Sequence, residues 1–144
     1  MRNLKDGIRS HVRIDWQGRV HKRYRGTGAE QRYATEVAVL QALEERGCDY
    51  VPRLLETHPE ELYIVTTNCG SPAPQIRKER ADELFADLER DFGVRHLDPE
   101  ARNVTYSDRI GRFCLIDFEL AELLPDPRPA TPTTDPTTDP AAAE

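Results

Sequence analysis

Asn103 and Asp117 stand at the two mouths of one predicted hairpin, where an amide and a carboxylate offer the hard oxygen donors that a Mg²⁺-class cation takes. Asp98 precedes Asn103 by five residues, in a loop that also holds His96. Lys22 and Glu36 are placed differently. Each falls on the apolar face of its own predicted element, and a charge buried without a partner is costly. Opposite charges on two covered faces predict an ion pair between them. Only Lys5, Lys22 and Lys78 are lysines, so each can be weighed by name.

The elements that must position these groups follow from periodicity. Val12, Ile14 and Trp16 alternate with Arg13 and Asp15, Gln17-Gly18 supplies a turn, and Val20, Lys22 and Tyr24 alternate with His21 and Arg23. This pattern is a β-hairpin with Lys22 on the covered face. A helix is predicted from Ala29 to Arg46, with Tyr33, Val37, Leu40 and Leu43 at helical spacing and Gly47 as its stop. Glu36 projects inside that apolar stripe. Leu62 to Thr67 is a β-branched run that ends at Asn68-Cys69-Gly70 and leads into the loop Ser71 to Pro74, a strand and a connector between lobes. Ala81, Leu84, Phe85, Leu88 and Phe92 mark a second helix closed by Gly93. A loop, a strand from Val104, a turn at Ser107 to Arg109 and a strand through Phe113 to Ile116 complete the order. Strands first and a mixed second part predict an α+β fold.

His96, Asp98 and Asn103 match the pattern H-x-D-x-x-x-x-N, and Asp117-Phe118 matches the start of D-F-G. With these the chain resembles the protein-kinase-like superfamily. Ala101-Arg102-Asn103 looks like the tyrosine-kinase form of the catalytic loop, and Leu115 to Glu119 looks like RIO-type, aminoglycoside-type and lipopolysaccharide-type kinases. The resemblance implies a small antiparallel amino-terminal sheet with one helix, and a reduced helical second lobe carrying the catalytic-loop hairpin. It implies ATP and Mg²⁺ as cofactors and transfer of the γ-phosphoryl group to a hydroxyl of a protein or small molecule. By the same resemblance Asp98 accepts the hydroxyl proton and Asn103 and Asp117 hold the metal. Lys22 touches the phosphates and pairs with Glu36, and Thr67 and Cys69 of the connector line the nucleotide. His96 is architectural, and Arg95 and Arg102 are solvated or phosphate-facing rather than catalytic, with Arg102 able to neutralise transfer charge. The alternatives are a nucleotide-binding pseudokinase or regulatory module, and an unrelated α+β interaction domain.

The departures are specific. No G-x-G-x-x-G precedes Lys22, Gly7 being the only glycine before the hairpin turn, and Glu119 stands where D-F-G has glycine. The activation segment and the helical bulk of the second lobe have no counterpart, so a second copy or another protein is expected to supply the acceptor platform. Leu120 to Leu124, read as a short amphipathic turn, is the expected docking surface.

Net charge is -6, which gives no electrostatic support for a nonspecific grip on nucleic acid or an anionic membrane. No apolar run is long enough to span a bilayer, and the polar start lacks a secretory signal, so a cytoplasmic protein is expected. Cys48, Cys69 and Cys114 form neither a disulfide framework nor a zinc motif and are expected to be reduced and inert. The kinase-like domain is read as residues 1–124, patterned from about Arg9. Residues 125–144 are read as a disordered Pro/Thr/Asp-rich tail in which Thr-Thr-Asp-Pro occurs twice.

Overall fold

The computed structural model describes the backbone of residues 2–6 and all of residues 10–73 and 75–128. Most of the tail, from residue 129 on, therefore lies outside the described residues, as do residues 7–9, Gly7 among them.

Five antiparallel strands form the first sheet: β1 (Arg2–Asp6), β2 (Ser10–Ile14), β3 (Val20–Tyr24), β4 (Leu54–His58) and β5 (Tyr63–Thr66), in the order β1-β2-β3-β5-β4. The predicted hairpin is β2 and β3, in register Val12↔Lys22. Two strands were not anticipated. β1 pairs with β2 and extends the fold ahead of Arg9, and β4 pairs with β5 although its three central residues are exposed. An edge strand exposed on both faces leaves no period-2 pattern to read. Trp16, read as continuing the alternation of the first strand, belongs instead to the β2–β3 turn and is 88% exposed.

Helix α1 (Ala29–Glu45) covers the inner face of the sheet. It ends in paired reverse bonds, Gly47 N donating to Glu44 O and Cys48 N to Leu43 O, with Gly47 at φ +84°, a conformation that glycine adopts without penalty. Its buried residues include Tyr33, Val39, Leu40 and Leu43, and also Arg32 and Glu36. Two charged residues inside the stripe weaken its apolar periodicity, and they are there because they have partners.

The connector is more ordered than the predicted loop. Ser71–Pro72 (β6) pairs with β8 (Val104–Ser107), which pairs with β9 (Arg112–Leu115), giving a three-stranded sheet. Gly70 makes this possible: at φ +95°, a Cβ there would lie 2.0 Å from the Tyr106 carbonyl oxygen. Helix α2 (Lys78–Phe92) buries Ala81, Leu84, Phe85 and Leu88 as its spacing predicts. The strand β7 (Val94–Arg95) follows it and pairs with β10 (Glu122–Leu123). Leu120 to Leu124 is thus not an amphipathic helical turn. Its Glu122 and Leu123 are extended and paired, and Leu124 N donates to Gly93 O.

Leu40, Leu43, Ile64, Leu84, Leu88, Leu115 and Phe118 are almost completely buried in one continuous core to which the five- and three-stranded sheets and both helices contribute. At about 1.5–3 kcal/mol per fully buried large apolar side chain, this core dominates the cohesion of the two halves. Pro125 to Arg128 also touch the domain. Arg128 donates to the Arg46 backbone oxygen, and Arg46 lies 4.0 Å from the Asp126 carboxylate.

Candidate active site

Lys22 sits at the centre of a buried charge cluster. Its Nζ is 2.8 Å from Glu36 Oε1, 3.0 Å from Asp117 Oδ1 and 3.2 Å from Glu119 Oε1. The Tyr24 hydroxyl donates to Glu36 Oε1 as well, and the Phe118 backbone N–H donates to Glu36 Oε2 at 3.0 Å. Arg32 brings a second cation 3.8 Å from Glu119 and donates to the carbonyls of Arg25 and Thr27. Burial alone would raise the Glu36 pKa, but the Lys22 charge and the hydrogen bonds from Lys22, Tyr24 and Phe118 outweigh it and hold it below its ordinary value. Glu36 is therefore a carboxylate at neutral pH. Burial, then the Glu36 charge, pushes the Tyr24 phenol strongly upward, so it stays a donor.

These five ionic groups are two cations and three carboxylates. Asp117 is aimed here by its backbone: it leaves β9 at φ +68°, left-handed for a residue with a Cβ, at a cost of about 1–3 kcal/mol.

The catalytic-loop motif forms a second assembly below the first. The Asp98 backbone N–H donates to His96 Nδ1 at 3.1 Å, which leaves the proton on Nε2, and Nε2 donates to the Ile116 carbonyl at 2.9 Å. His96 also packs between Phe85 and Phe118, with ring centroids 4.8 and 5.0 Å away. Ile116 N donates to the Asn103 carbonyl at 3.0 Å. His96 and Asn103 thus fix the backbone immediately before Asp117, which is why a histidine in this loop can be structural and still decide site geometry.

Asn103 is fully buried, and its amide nitrogen donates to the Asp98 carbonyl at 2.9 Å and to Asp98 Oδ2 at 3.1 Å. That assignment turns the Asn103 amide oxygen away from Asp98. Arg102 contacts both Asp98 carboxylate oxygens, at 3.0 and 2.9 Å. Leu97, just before Asp98, is at φ +67°, so backbone strain flanks this acid as it does Asp117.

A cavity of about 320 Å³ lies between the two assemblies. Val12 and Val20 of the first sheet, with Leu40 and Ile64, give it an apolar wall, and Lys22, Glu36 and Asp117 form its charged end. Thr67, Cys69 and Gly70 of the connector line it too, as do Thr105, Ile116 and Arg102. Every predicted site residue therefore lines the cavity or, like Asp98 and Asn103, bonds to a residue that does or sits next to one. The Thr105 hydroxyl pins the connector by donating to the Cys69 carbonyl at 2.6 Å. The Cys69 thiol is held well above its usual pKa by its bond with Cys114 and then by burial, so it lines the pocket as a neutral thiol.

Two participants were not assigned from the sequence. Glu119 was noted only as a departure from glycine, and Arg32 was not singled out, although it sits one helical turn before Glu36. That i, i+4 spacing inside an apolar stripe was the available signal. Among the described residues no three His, Cys, Asp or Glu side chains gather as a metal cage. Mg²⁺ takes only one or two protein oxygens and completes its shell with phosphate and water; the Asp117 carboxylate lines the cavity, whereas Asn103 is fully buried and meets the lining through its neighbour Arg102 and its bond with Ile116. No described helix is long and apolar enough to cross a membrane.

No family model matches the sequence, and no curated protein does. Among solved structures, the chain is similar to the Rio2 kinase from Chaetomium thermophilum, described as an ADP/Mg²⁺-phosphoaspartate complex, with a TM-score of 0.60 and 18% identity. The match covers 88% of this chain and 49% of that one, so the chain spans about half of its neighbour's length. The likeness establishes a protein-kinase-like fold.

Proposed function

We propose that this chain is an ATP-dependent phosphotransferase that moves the γ-phosphoryl group to a hydroxyl of a protein or small molecule. The supporting observation is the convergence of Lys22, Glu36 and Asp117 at the charged end of a cavity whose other end is the connector with Thr67 and Cys69. An apolar wall with a cation and a carboxylate at one end suits a flat base joined to a polyphosphate.

Each residue then has a role. Lys22, held by Glu36, turns its ammonium toward phosphate oxygens, and the connector receives the base. Asn103 and Asp117 hold Mg²⁺, which when bound draws negative charge from the phosphoryl oxygens. Asp98 accepts the proton of the acceptor hydroxyl as its oxygen bonds to phosphorus and ADP departs. Arg102 lines the cavity and touches Asp98, so its guanidinium is placed to meet both the acid and the transferred group. In the observed state Lys22 is saturated by carboxylates and Asp98 by Arg102. Phosphates must therefore take partners away from both.

That closed arrangement of Asp98 favours one other reading, a regulatory module that binds nucleotide without transferring it. Incubation with Mg²⁺ and γ-labelled ATP separates the two. A transferase labels an acceptor or itself, and Asp98→Asn lowers that labelling by about 10²–10⁴-fold. Mg-ATP binding with no labelled product selects the regulatory module, and absence of binding removes both.

A further inference from the structure

His21 and Lys22 are neighbours in β3 and so project to opposite faces of the sheet. On the face away from the cavity, His21 Nε2 is 2.7 Å from Asp15 Oδ2, and Nδ1 meets the Tyr63 hydroxyl in a hydrogen bond. With Nε2–H donating to the carboxylate, Nδ1 is left as the acceptor for the phenolic proton. The order carboxylate, imidazole, hydroxyl is that of an activated nucleophile, in which the acid orients the base and the base faces the nucleophile.

The rest of the face supports the same assignment. Asp15 is fixed by the backbone N–H groups of Gln17 and Arg19 and by the Arg19 guanidinium, at 2.9–3.0 Å, so it cannot swing away from His21. Its bond with His21, foremost, draws its pKa below the usual carboxylate range, keeping it charged. Arg13 Nη2 lies 3.4 Å from the Tyr63 oxygen, and the Arg23 guanidinium lies over the Tyr63 ring, 4.8 Å from its centroid. Tyr63 is partly exposed. A hydroxyl with a base on one side and an arginine on the other is equipped for an electrophile that carries anionic or strongly polar oxygens.

We propose that Tyr63 is a nucleophile activated by His21 and Asp15, and a covalent-modification site for a phosphoryl-class electrophile. The Tyr63 oxygen bonds to phosphorus, the bond from phosphorus to the leaving group breaks with its electron pair departing on that group, and the phenolic proton passes to His21 Nδ1. Asp15 stabilises the resulting imidazolium, and Arg13 faces the new phosphoryl oxygens. Because Tyr63 is on the opposite face from Lys22, the donor is carried by another molecule.

The probe is diisopropyl fluorophosphate, which needs neither Mg²⁺ nor ATP, so the outcome is independent of the reading of the cavity. The intact chain is treated and the modified tyrosines are mapped by mass spectrometry, with Tyr106, 40% exposed, as the internal reference. Tyr63 is expected to react at least about 100-fold faster than Tyr106, the lower end of what a positioned base contributes. His21→Phe should bring Tyr63 down to the Tyr106 rate. Asp15→Asn, which keeps an oxygen for the turn N–H groups, should lower it partway with an unchanged melting midpoint and decides the question if His21→Phe fails to fold. Reaction of Tyr63 no faster than Tyr106 overturns the proposal, as does a folded variant of either kind that leaves its rate unchanged.

Discussion

The two faces of β3 carry two opposite solutions to placing polar groups on a sheet. Inward, Lys22 meets Glu36, Asp117 and Glu119 in a setting where Lys22, Glu36 and Glu119 are each under a tenth exposed. Outward, His21 meets Asp15 and Tyr63 on the other face, where the His21 and Asp15 side chains are only 11% and 10% exposed. The inner groups hold formal charges that only their partners make tolerable, so removal of one strands the others. On the outer face the Asp15 carboxylate is bound by Gln17 N–H, by Arg19 through backbone and side chain, and by His21, so removal of His21 leaves that charge with partners. One face is therefore bound up with the stability of the fold, while the other can be altered with the fold kept.

The sharpest break of this comparison is Lys22→Met. It removes the cation that Glu36, Asp117 and Glu119 share and is expected to cost about 3–5 kcal/mol in urea unfolding, along with the thermal shift expected from Mg-ATP. His21→Phe on the outer face should leave the urea midpoint close to wild type. Equal losses in the two variants would mean that the faces do not differ as described.

Gly70→Ala tests the link that sets the cavity's far end. A Cβ cannot share space with the Tyr106 carbonyl 2.0 Å away, and the positive φ adds strain. A loss of about 1–3 kcal/mol is expected, with weaker Mg-ATP binding as the connector shifts. A variant as stable as wild type would show that the connector can move freely.

Acid should act on the inner cluster through Glu36. Its folded pKa is below the ordinary 4.5, so its contribution to stability is fully present above about that value and is lost as pH falls through the folded pKa. Asp15 is shifted in the same direction and adds to the same acid limb from the outer face. The melting midpoint should fall between about pH 7 and about pH 3, and by less in Glu36→Gln. Identical profiles would place the acid sensitivity elsewhere.

The smallest effect is expected at the carboxyl terminus. Removal of residues 129–144, proposed to be a tail dispensable for folding, should change stability by no more than about 0.5 kcal/mol. A cut before Pro125 also takes away the Asp126 and Arg128 contacts with Arg46, and should lower the midpoint measurably.

Local pattern was enough for the elements whose two sides differ. The β2–β3 hairpin, both helices with Gly47 and Gly93 at their ends, and the β8–β9 hairpin were all legible, because one side of each is buried and the other is wet. Lys22 and Glu36 could be paired in advance for the same reason, since an apolar face does not keep a lone charge. The strands β1 and β4 and the short pairs of β6 and β7 could not be read. Their residues take extended structure only because a neighbour supplies hydrogen bonds, and an exposed edge leaves no alternation in the sequence. Trp16 continues an apolar alternation, yet the tight turn through Gly18 carries it into solvent. The sequence alone thus determined which side chains are able to act and most of the elements that hold them. The tertiary structure alone decided that Glu119 and Arg32 join the Lys22 cluster, that Arg102 covers Asp98, and that Asp15, His21 and Tyr63 meet, since each of these contacts depends on register and backbone direction rather than on local composition.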